Sequence, residues 1–498
     1  MCLYRVLWCT IIALLNIYSS TGILFHRTAP KRSTHNLYFY ERKNFTEFVQ
    51  TSLKLDHFSF APSKEFNLTY LISTEEWQPG GPILFYTGNE GSIEFFAQNT
   101  GFMFELAKNL SAAVIFAEHR YYGTSLPFGS RSFSDRDHFG YLTAEQALAD
   151  YAKFVSDFKC ANRQFSNSPV ISFGGSYGGM LTAWFRQAYP NIVAGGLASS
   201  APVWLFPGMA DCHGFYQVTT RAYSQAGGDA CISTIREVWS LMDDIIAKPG
   251  GLASLSDLFK TCKPFPSGDF VYEFTKDYLV TLAMANYPYG ASFLGALPAW
   301  PVKEFCKTMA DCRTKGKMAP QVEKFACAFF SIYNYQQEGN CLSFDDNSTN
   351  LDASGWELQT CMEMTNPICS DGKFDMFKPS TWDPIEFSNA CQRKFGVRPR
   401  MSWAGVQWWA KNLNAVTRLI FSNGDLDPWS AFGVLEKELV PGATVVRIAS
   451  GAHHLDLRGS HPNDTAEVRA ARGLIANHIA SWIDAWHHEA HPLYCLDF

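Results

Sequence analysis

Short apolar runs alternate with amphipathic stretches from about residue 71 to residue 200, and the same rhythm returns after residue 400. The runs PILFYTGNEG and AAVIFAEHRYYG are rich in aromatic and β-branched residues and end in glycine or polar turns, which is typical of buried strands. The stretch TAEQALADYAKFVSDF has helical spacing and opens on Thr143 with Gln146 three residues later, a capping-box start. Alternating strands and helices predict a parallel sheet covered by helices.

The rhythm breaks between residues 204 and 400, where helical patterns such as STIREVWSLMDDIIA lie between proline-rich loops. Ten cysteines fall in this stretch. We interpret it as a mostly helical, disulfide-linked insertion that divides an α/β core into residues 23–203 and 401–498. After the insertion, AVTRLIFSNGDLDPW and ATVVRIASGAHH are predicted strands, and AEVRAARGLIANHIASWIDAWHH is a predicted closing helix.

Composition favours a folded chain with a large core, because 47% of the 498 residues are hydrophobic and 15% are aromatic. The formal net charge of -6 and the lack of a Lys/Arg cluster argue against a nucleic-acid-binding surface. No Cys/His spacing is typical of zinc, so no zinc site is expected.

The first 22 residues predict entry into the secretory pathway. Arg5 precedes an apolar run that ends in small residues, the pattern of a cleaved signal peptide, and no other segment has the length and apolarity of a membrane span. Removing residues 1–22 leaves twelve cysteines, an even number that suggests disulfides. Five N-x-S/T sequons predict a glycoprotein, at Asn44, Asn67, Asn109, Asn347 and Asn463.

Ser176 lies in GGSYG, a G-x-S-x-G pattern between the predicted strand PVISF and the predicted helix MLTAWFRQAYP. Glycines on both sides of a serine permit a turn so tight that other side chains would collide with the strand and helix. Such a turn exposes the serine hydroxyl at the carboxyl edge of the sheet. The context therefore favours a nucleophile over a plain turn.

A serine nucleophile needs a base to take its proton and an acid to orient that base. In α/β-hydrolases these follow in the order serine, acid, histidine. The loop after RLIF offers Asp425 or Asp427, and the loop after VVRI offers His453 or His454. The residues alone leave both choices open.

Long motifs then identify a resemblance. FYTGNEG, FAEHRYYGTSLPFG, GGSYGGMLTAWF, LASSAPVW, YPYGASFLGALPAWPVK, FSNGDLDPWS and GAHHLDLR resemble the serine peptidase family of lysosomal Pro-X carboxypeptidase and dipeptidyl peptidase II. The resemblance covers nearly the whole chain after the signal peptide. It implies an α/β-hydrolase fold with a helical, disulfide-linked cap, a cofactor-free enzyme, and a glycosylated homodimer that is lysosomal or secreted and works in acid.

The same resemblance assigns the nucleophile to Ser176, the acid to Asp427 and the base to His453. For the oxyanion we expect the backbone N–H of Tyr177, the residue after the nucleophile, and a second N–H from Gly88 or Asn89 in TGNEG.

Catalysis at acidic pH poses a difficulty for the proposed base, because a histidine with an ordinary pKa near ~6.5 is protonated there and cannot accept a proton. We hypothesise that the neighbouring His454 and Arg458 keep His453 unprotonated. The competing interpretation pairs Arg458 with Asp456 on the surface.

Specificity for proline requires a compact apolar pocket, and Met180 and Trp429 are candidates to line it. Carboxypeptidases need donors for a terminal carboxylate, and dipeptidyl peptidases need an acid for an ammonium. Candidate anchors are the acids Glu90, Glu363 and Asp375 and the bases Arg120, Arg398 and Arg400.

The segments ALPAWPVKEFC, CMEMTNPICSDGKFDMF and FGVRPRMSW resemble the Pro-X carboxypeptidase branch more closely, although AFGV follows LDPWS where relatives tend to have glycines. We therefore expect a serine exopeptidase acting on proline-containing peptides that releases a C-terminal residue. The alternatives are a dipeptidyl peptidase II-like enzyme, an esterase, or a binding protein of this fold without catalysis.

Overall fold

A computed structural model of the chain describes residues 45, 47–61, 64–336, 339–344, 353–489 and 495. The predicted signal peptide, Asn44 and Asn347 lie outside the described residues. Asn67, Asn109 and Asn463 are exposed, so a glycan could reach each of these three sequons.

An eight-stranded sheet forms the centre of the described part, in the order β1-β2-β4-β3-β5-β6-β7-β8. Its strands are β1 (Glu47–Lys54), β2 (Glu65–Ser73), β3 (Ile83–Thr87), β4 (Ala113–Ala117), β5 (Val170–Gly175), β6 (Gly195–Ser199), β7 (Leu419–Gly424) and β8 (Thr444–Ile448). From β4 to β8 the neighbouring strands are parallel, as the sequence predicts. The antiparallel pairs β1·β2 and β2·β4 were not predicted.

Helices cover this sheet and also form the segment between β6 and β7. They are α1 (Ile93–Asn99), α2 (Phe102–Leu110), α3 (Arg136–Phe139), α4 (Ala144–Ala161), α5 (Tyr177–Ala188), α6 (Gly214–Ile246), α7 (Gly251–Phe259), α8 (Gly268–Met284), α9 (Pro301–Asp311), α10 (Pro320–Tyr333), α11 (Ala353–Thr360), α12 (Pro384–Lys394), α13 (Trp403–Gln407) and α14 (Ala466–His487). Helix α4 begins as predicted, since the Thr143 side chain accepts a hydrogen bond from the backbone N–H of Gln146. No described helix combines the length and apolarity needed to cross a membrane.

The parallel strands β3 to β7 are buried on both faces, which explains their continuous apolar runs. Tyr86 and Phe116 pack into the apolar cluster on one side of the sheet, whereas their chain neighbours Phe85 and Ile115 pack into the cluster on the other side. Successive side chains of a strand point to opposite faces, so each strand anchors helices on both sides.

Helices α6 to α12 follow β6 and precede β7, so they form a helical insertion in the sheet's sequence. Five disulfides join residues of this region, Cys212–Cys369, Cys231–Cys306, Cys262–Cys341, Cys312–Cys327 and Cys361–Cys391. A sixth, Cys160–Cys495, joins α4 to the end of the chain. The architecture is the expected α/β-hydrolase fold with a disulfide-linked helical cap.

Candidate active site

Ser176 occupies a strained turn between β5 and α5. Its backbone has φ 58° and ψ -128°, a conformation that non-glycine residues rarely adopt. A Cβ on Gly174 would lie 2.0 Å from the carbonyl oxygen of Gly178, and a Cβ on Gly178 would lie 2.2 Å from Oδ1 of Asn89. Glycine is therefore required on both sides of the serine, as the pentapeptide predicts.

His453 and Asp427 form a buried hydrogen-bonded pair. Nδ1 of His453 lies 2.8 Å from Oδ2 of Asp427, and both side chains are almost fully buried. The other carboxylate oxygen of Asp427 accepts from the backbone N–H of Trp429 at 3.1 Å. An ionised Asp427 can only accept, so Nδ1 carries the proton and Nε2 is the nitrogen available to a hydroxyl.

The two alternatives that the sequence left open lie elsewhere. Asp425 accepts a hydrogen bond from Nε of Arg447 at 2.9 Å, on the exposed side of the loop. The backbone N–H of His454 donates to Oγ of Ser200 at 2.8 Å, and the His454 ring packs edge-on against Phe293. Asp425 therefore does not take the place of Asp427, and His454 does not take the place of His453, in the hydrogen-bonded pair.

Ser176 and His453 line one cavity, which encloses about 610 Å³ counting the part open to solvent. Its wall is largely apolar and includes Met180 and Trp429. The other lining residues are Asn89, Glu90, Phe96, Tyr177, Pro202, Leu205, Met284, Phe293, Leu294, Trp356, Met364 and His454. The cap thus supplies part of the wall, through residues such as Met284 and Trp356.

The loop TGNEG is joined to the serine turn by the side chain of Asn89. Its Nδ2 donates to the carbonyl of Gly175 at 2.6 Å, and its Oδ1 accepts from the Tyr86 hydroxyl at 2.9 Å. The carbonyl of Gly88 accepts from the Tyr151 hydroxyl at 3.1 Å. Tyr177 is the first residue of α5, where a backbone N–H has no partner within the helix.

A buried polar network beneath the cavity was not predicted. The Tyr177 hydroxyl lies 3.0 Å from Nε2 of His119 and accepts from Nε2 of Gln359 at 2.7 Å. The Gln359 amide also donates to Oε1 of Glu363 at 3.0 Å. These bonds connect the residue after the serine to α11 and the segment that follows it. Chain positions so far apart carry no local signal of this contact.

Glu90 and Glu363 differ in their surroundings, although burial raises the pKa of each to about 7. Glu363 does not line the cavity, and its Oε1 also accepts from the backbone N–H of Ala144 at 2.7 Å. Glu90 lines the cavity, and its Oε2 is buried with no hydrogen-bond partner among the described residues.

Arg458 does not pair with Asp456, so that interpretation is wrong. Asp456 is buried and accepts from the hydroxyls of Ser199 and Ser422, each at 2.6 Å. The Arg458 guanidinium lies over the Tyr287 ring, 4.6 Å from its centre. Burial first, then the charges of His453 and Arg458, lower the pKa of His454 well below its usual value. A lowered pKa favours the uncharged form of His454, which leaves Arg458 as the permanent cation.

The remaining candidate anchors do not line the cavity. The Asp375 carboxylate accepts from Ser370 and from nearby backbone N–H groups. Arg120 is buried against Asp150, with N–O distances of 2.6 and 2.7 Å. Arg400 stacks on Trp403, and Arg398 bonds Ser388 at 3.5 Å.

Among the described residues, Cys212, His213 and Cys369 have ligand atoms close enough together to hold a metal ion. The two cysteines form a disulfide, however, so their sulfurs cannot act as thiolate ligands.

Comparisons with known proteins show which family the chain belongs to. The family model described as "Serine carboxypeptidase S28" matches residues 53–475. Lysosomal Pro-X carboxypeptidase of Mus musculus is 42% identical over 434 residues, covering 86% of this chain and 88% of that protein. The Homo sapiens protein of the same name is 42% identical over 436 residues, covering 86% and 87%.

A more distant relative is the thymus-specific serine protease of Mus musculus, 25% identical over 455 residues and covering 86% of each chain. The similarity therefore extends over both the α/β core and the helical insertion, and it is stronger toward the carboxypeptidases. This chain belongs to the serine carboxypeptidase S28 family and is a serine peptidase.

Proposed function

We propose that this protein is a serine exopeptidase that removes the residue following a proline at the carboxyl terminus of peptides. The observation that supports this most strongly is the cavity lined both by Ser176, on its strained turn, and by His453 of the His453–Asp427 pair. The 42% identity to Pro-X carboxypeptidases over most of the chain favours this specificity within the family.

In the proposed mechanism, Oγ of Ser176 attacks the carbonyl carbon of the proline residue while Nε2 of His453 takes the hydroxyl proton. The tetrahedral intermediate collapses as the C–N bond breaks, and His453 returns that proton to the departing amine. Water then attacks the acyl-enzyme with His453 again as base, which frees the shortened peptide and restores Ser176. Asp427 orients the imidazole and balances its positive charge.

The developing oxyanion needs donors that are already in place. We assign these to the backbone N–H of Tyr177 and an N–H of Gly88 or Asn89. The hydrogen bond from Asn89 to the carbonyl of Gly175 supports this assignment, because it fixes the TGNEG loop against the serine turn. Losing one such donor typically raises the barrier by ~2.7–4 kcal/mol.

The apolar wall suits a proline ring, which has no N–H to satisfy. Met180 lies one turn into α5 and Trp429 directly follows the acid, so both adjoin the reacting groups. Trp429 packs edge-on against Phe215 of α6, with ring centres 4.9 Å apart. The cap therefore holds this wall of the pocket, and we infer that residues 204–400 complete the proline site.

One observation favours the opposite specificity, removal of an N-terminal dipeptide. Glu90 is an acid in the cavity wall, and an ionised Glu90 could bind a peptide's ammonium group. The two specificities make opposite demands on the peptide's ends.

The deciding experiment uses two proline-containing tripeptides, one acetylated at its amino end and one amidated at its carboxyl end. We expect hydrolysis of the acetylated peptide only. Labelling with a fluorophosphonate, with Ser176→Ala as the unlabelled control, tests the nucleophile separately. Hydrolysis of the amidated peptide alone would assign the dipeptidyl specificity, and an absence of labelling would contradict the role of Ser176.

The lysosomal names of the mouse and human relatives support an acidic compartment or secretion as the place of action. We also propose a glycosylated homodimer. Light scattering after size exclusion, with and without removal of N-glycans, tests both, and a monomer mass would contradict the dimer.

A further inference from the structure

Glu90 is a partly buried acid that the proposed mechanism does not use. It follows Asn89 in the loop that bonds the serine turn, and it lines the cavity with Ser176 and His453. Its Oε2 is buried and has no hydrogen-bond partner among the described residues. A buried polar atom left unpaired is costly, so its place beside the reacting groups points to a ligand.

The proposed reaction brings a carboxylate to the same place. In a substrate with one residue after the proline, three bonds separate the terminal carboxylate carbon from the carbon that Ser176 attacks. Standard bond lengths put these atoms within about 4 Å of each other. The group that binds the terminal carboxylate must therefore adjoin the nucleophile.

The described residues of the cavity wall include no lysine or arginine that could bind this carboxylate. The titratable groups that face Glu90 are Tyr86 of β3, Tyr177 of α5, and His453 and His454 after β8. Burial raises the pKa of both tyrosines, so both stay neutral. Burial holds the pKa of His454 well below its usual value, which favours its uncharged form.

We propose that Glu90 in its protonated form donates a hydrogen bond from its carboxyl group to the C-terminal carboxylate of the peptide. This inference rests on the proposed carboxypeptidase function and names the group that recognises the peptide's end. A carboxylic acid bound to a carboxylate forms a strong, charge-assisted hydrogen bond. An ionised Glu90 would instead repel the ligand, so binding requires the proton.

Burial raises the pKa of Glu90 to about 7, which keeps the proton in place throughout the acidic range. Above that pKa, affinity for a peptide acid should fall by up to tenfold for each unit of pH. The preference for acid would then arise partly from substrate binding, in addition to the state of the catalytic base.

The test measures binding without turnover. Ser176→Ala is titrated calorimetrically with an acetylated proline-containing tripeptide, as the free acid and as the amide, at pH 5 and pH 8. We expect the acid to bind about tenfold more weakly at pH 8 and the amide to change little. The measured quantity is the ratio of the affinity for the peptide acid to the affinity for the peptide amide, which can be obtained with Ser176→Ala alone. If this ratio is the same at pH 5 and pH 8, the proposal is overturned.

Adding Glu90→Gln to Ser176→Ala gives the sharper comparison, because the amide can donate but cannot ionise. Its affinity for the peptide acid should be independent of pH. Glu363→Gln is the matched control, since it removes a buried acid of similar pKa away from the cavity and should keep the pH dependence.

A pH dependence that persists in Glu90→Gln would assign the effect to His453 and overturn the proposal. The proposal would also be overturned if a peptide with a free amino end bound more tightly at pH 8 than at pH 5 and Glu90→Gln abolished this difference. Glu90 would then bind an ammonium group. Failure of the carboxypeptidase function itself appears separately, as missing fluorophosphonate labelling or as hydrolysis of the amidated peptide.

Discussion

The buried acid Glu363 should make the folded protein less stable as pH rises. Its side chain is 4% exposed, and burial raises its pKa from 4.5 to about 7. The folded state therefore holds a proton that the unfolded state releases between these values. This contribution is fully present below pH 4.5 and is lost as pH rises to about 7, the sign expected for an acid with a raised pKa.

At 1.36 kcal/mol per pKa unit, the full change in the free energy of unfolding is about 3 kcal/mol. Glu363→Gln should remove it, because an amide does not ionise. The amide oxygen can still accept from the N–H of Ala144 and from the amide of Gln359, as Oε1 does now. The variant should gain about 3 kcal/mol relative to the natural chain between pH 4.5 and pH 7.5.

Urea unfolding followed by tryptophan fluorescence at several pH values measures this difference, provided that the urea slope is unchanged. Glu75→Gln makes the same substitution on an exposed side chain and should run parallel to the natural chain. If Glu363→Gln also runs parallel across this pH range, then Glu363 is not a proton-binding group of the folded state and the reasoning fails.

Three further predictions concern the catalytic elements. Asp427→Asn should lower kcat on an acetylated proline peptide by about 10⁴-fold with little change in KM, because the amide favours the wrong tautomer of the histidine. A loss of kcat below tenfold would contradict the assignment of Asp427 as the catalytic acid. Gly178→Ala should lower both the melting temperature and activity, since its Cβ would meet Oδ1 of Asn89 at 2.2 Å, whereas Gly140→Ala has open space and should melt normally. Arg458→Met removes the permanent cation near the paired imidazoles and should move the acid limb of the kcat/KM profile to higher pH; an unmoved limb would dismiss that hypothesis.

The sequence predicts the parallel strands and the turn at Ser176 because each depends on local pattern. Continuous apolar runs indicate strands that are buried on both faces. The glycines around Ser176 are recognisable because any larger residue would clash within this single turn. The hairpin of β1 and β2 was missed, since β2 begins with alternating exposed and buried residues near the sheet edge and only its second half is an apolar run.

The choice between Asp425 and Asp427 could not be made from local pattern, because the two acids lie two residues apart in one loop. Only their contacts in the folded chain distinguish them: Asp427 contacts His453 and Asp425 contacts Arg447. Long-range contacts explain the remaining gaps. Glu363 was a candidate for substrate binding, but the fold places its carboxyl beneath the cavity, against Ala144 and Gln359. Arg458 was considered a partner of Asp456, yet it stacks on Tyr287 of the cap.

The position of the helical insertion has a consequence for biosynthesis. Ser176 is synthesised before the insertion, whereas Asp427 and His453 follow it, in the loops after strands β7 and β8, which must add to the edge left by β6. A growing chain that has completed β6 therefore carries a serine without a base. With the roles proposed for Ser176 and His453, proteolytic competence can arise only once the chain has been synthesised past His453, which protects the growing chain from its own chemistry.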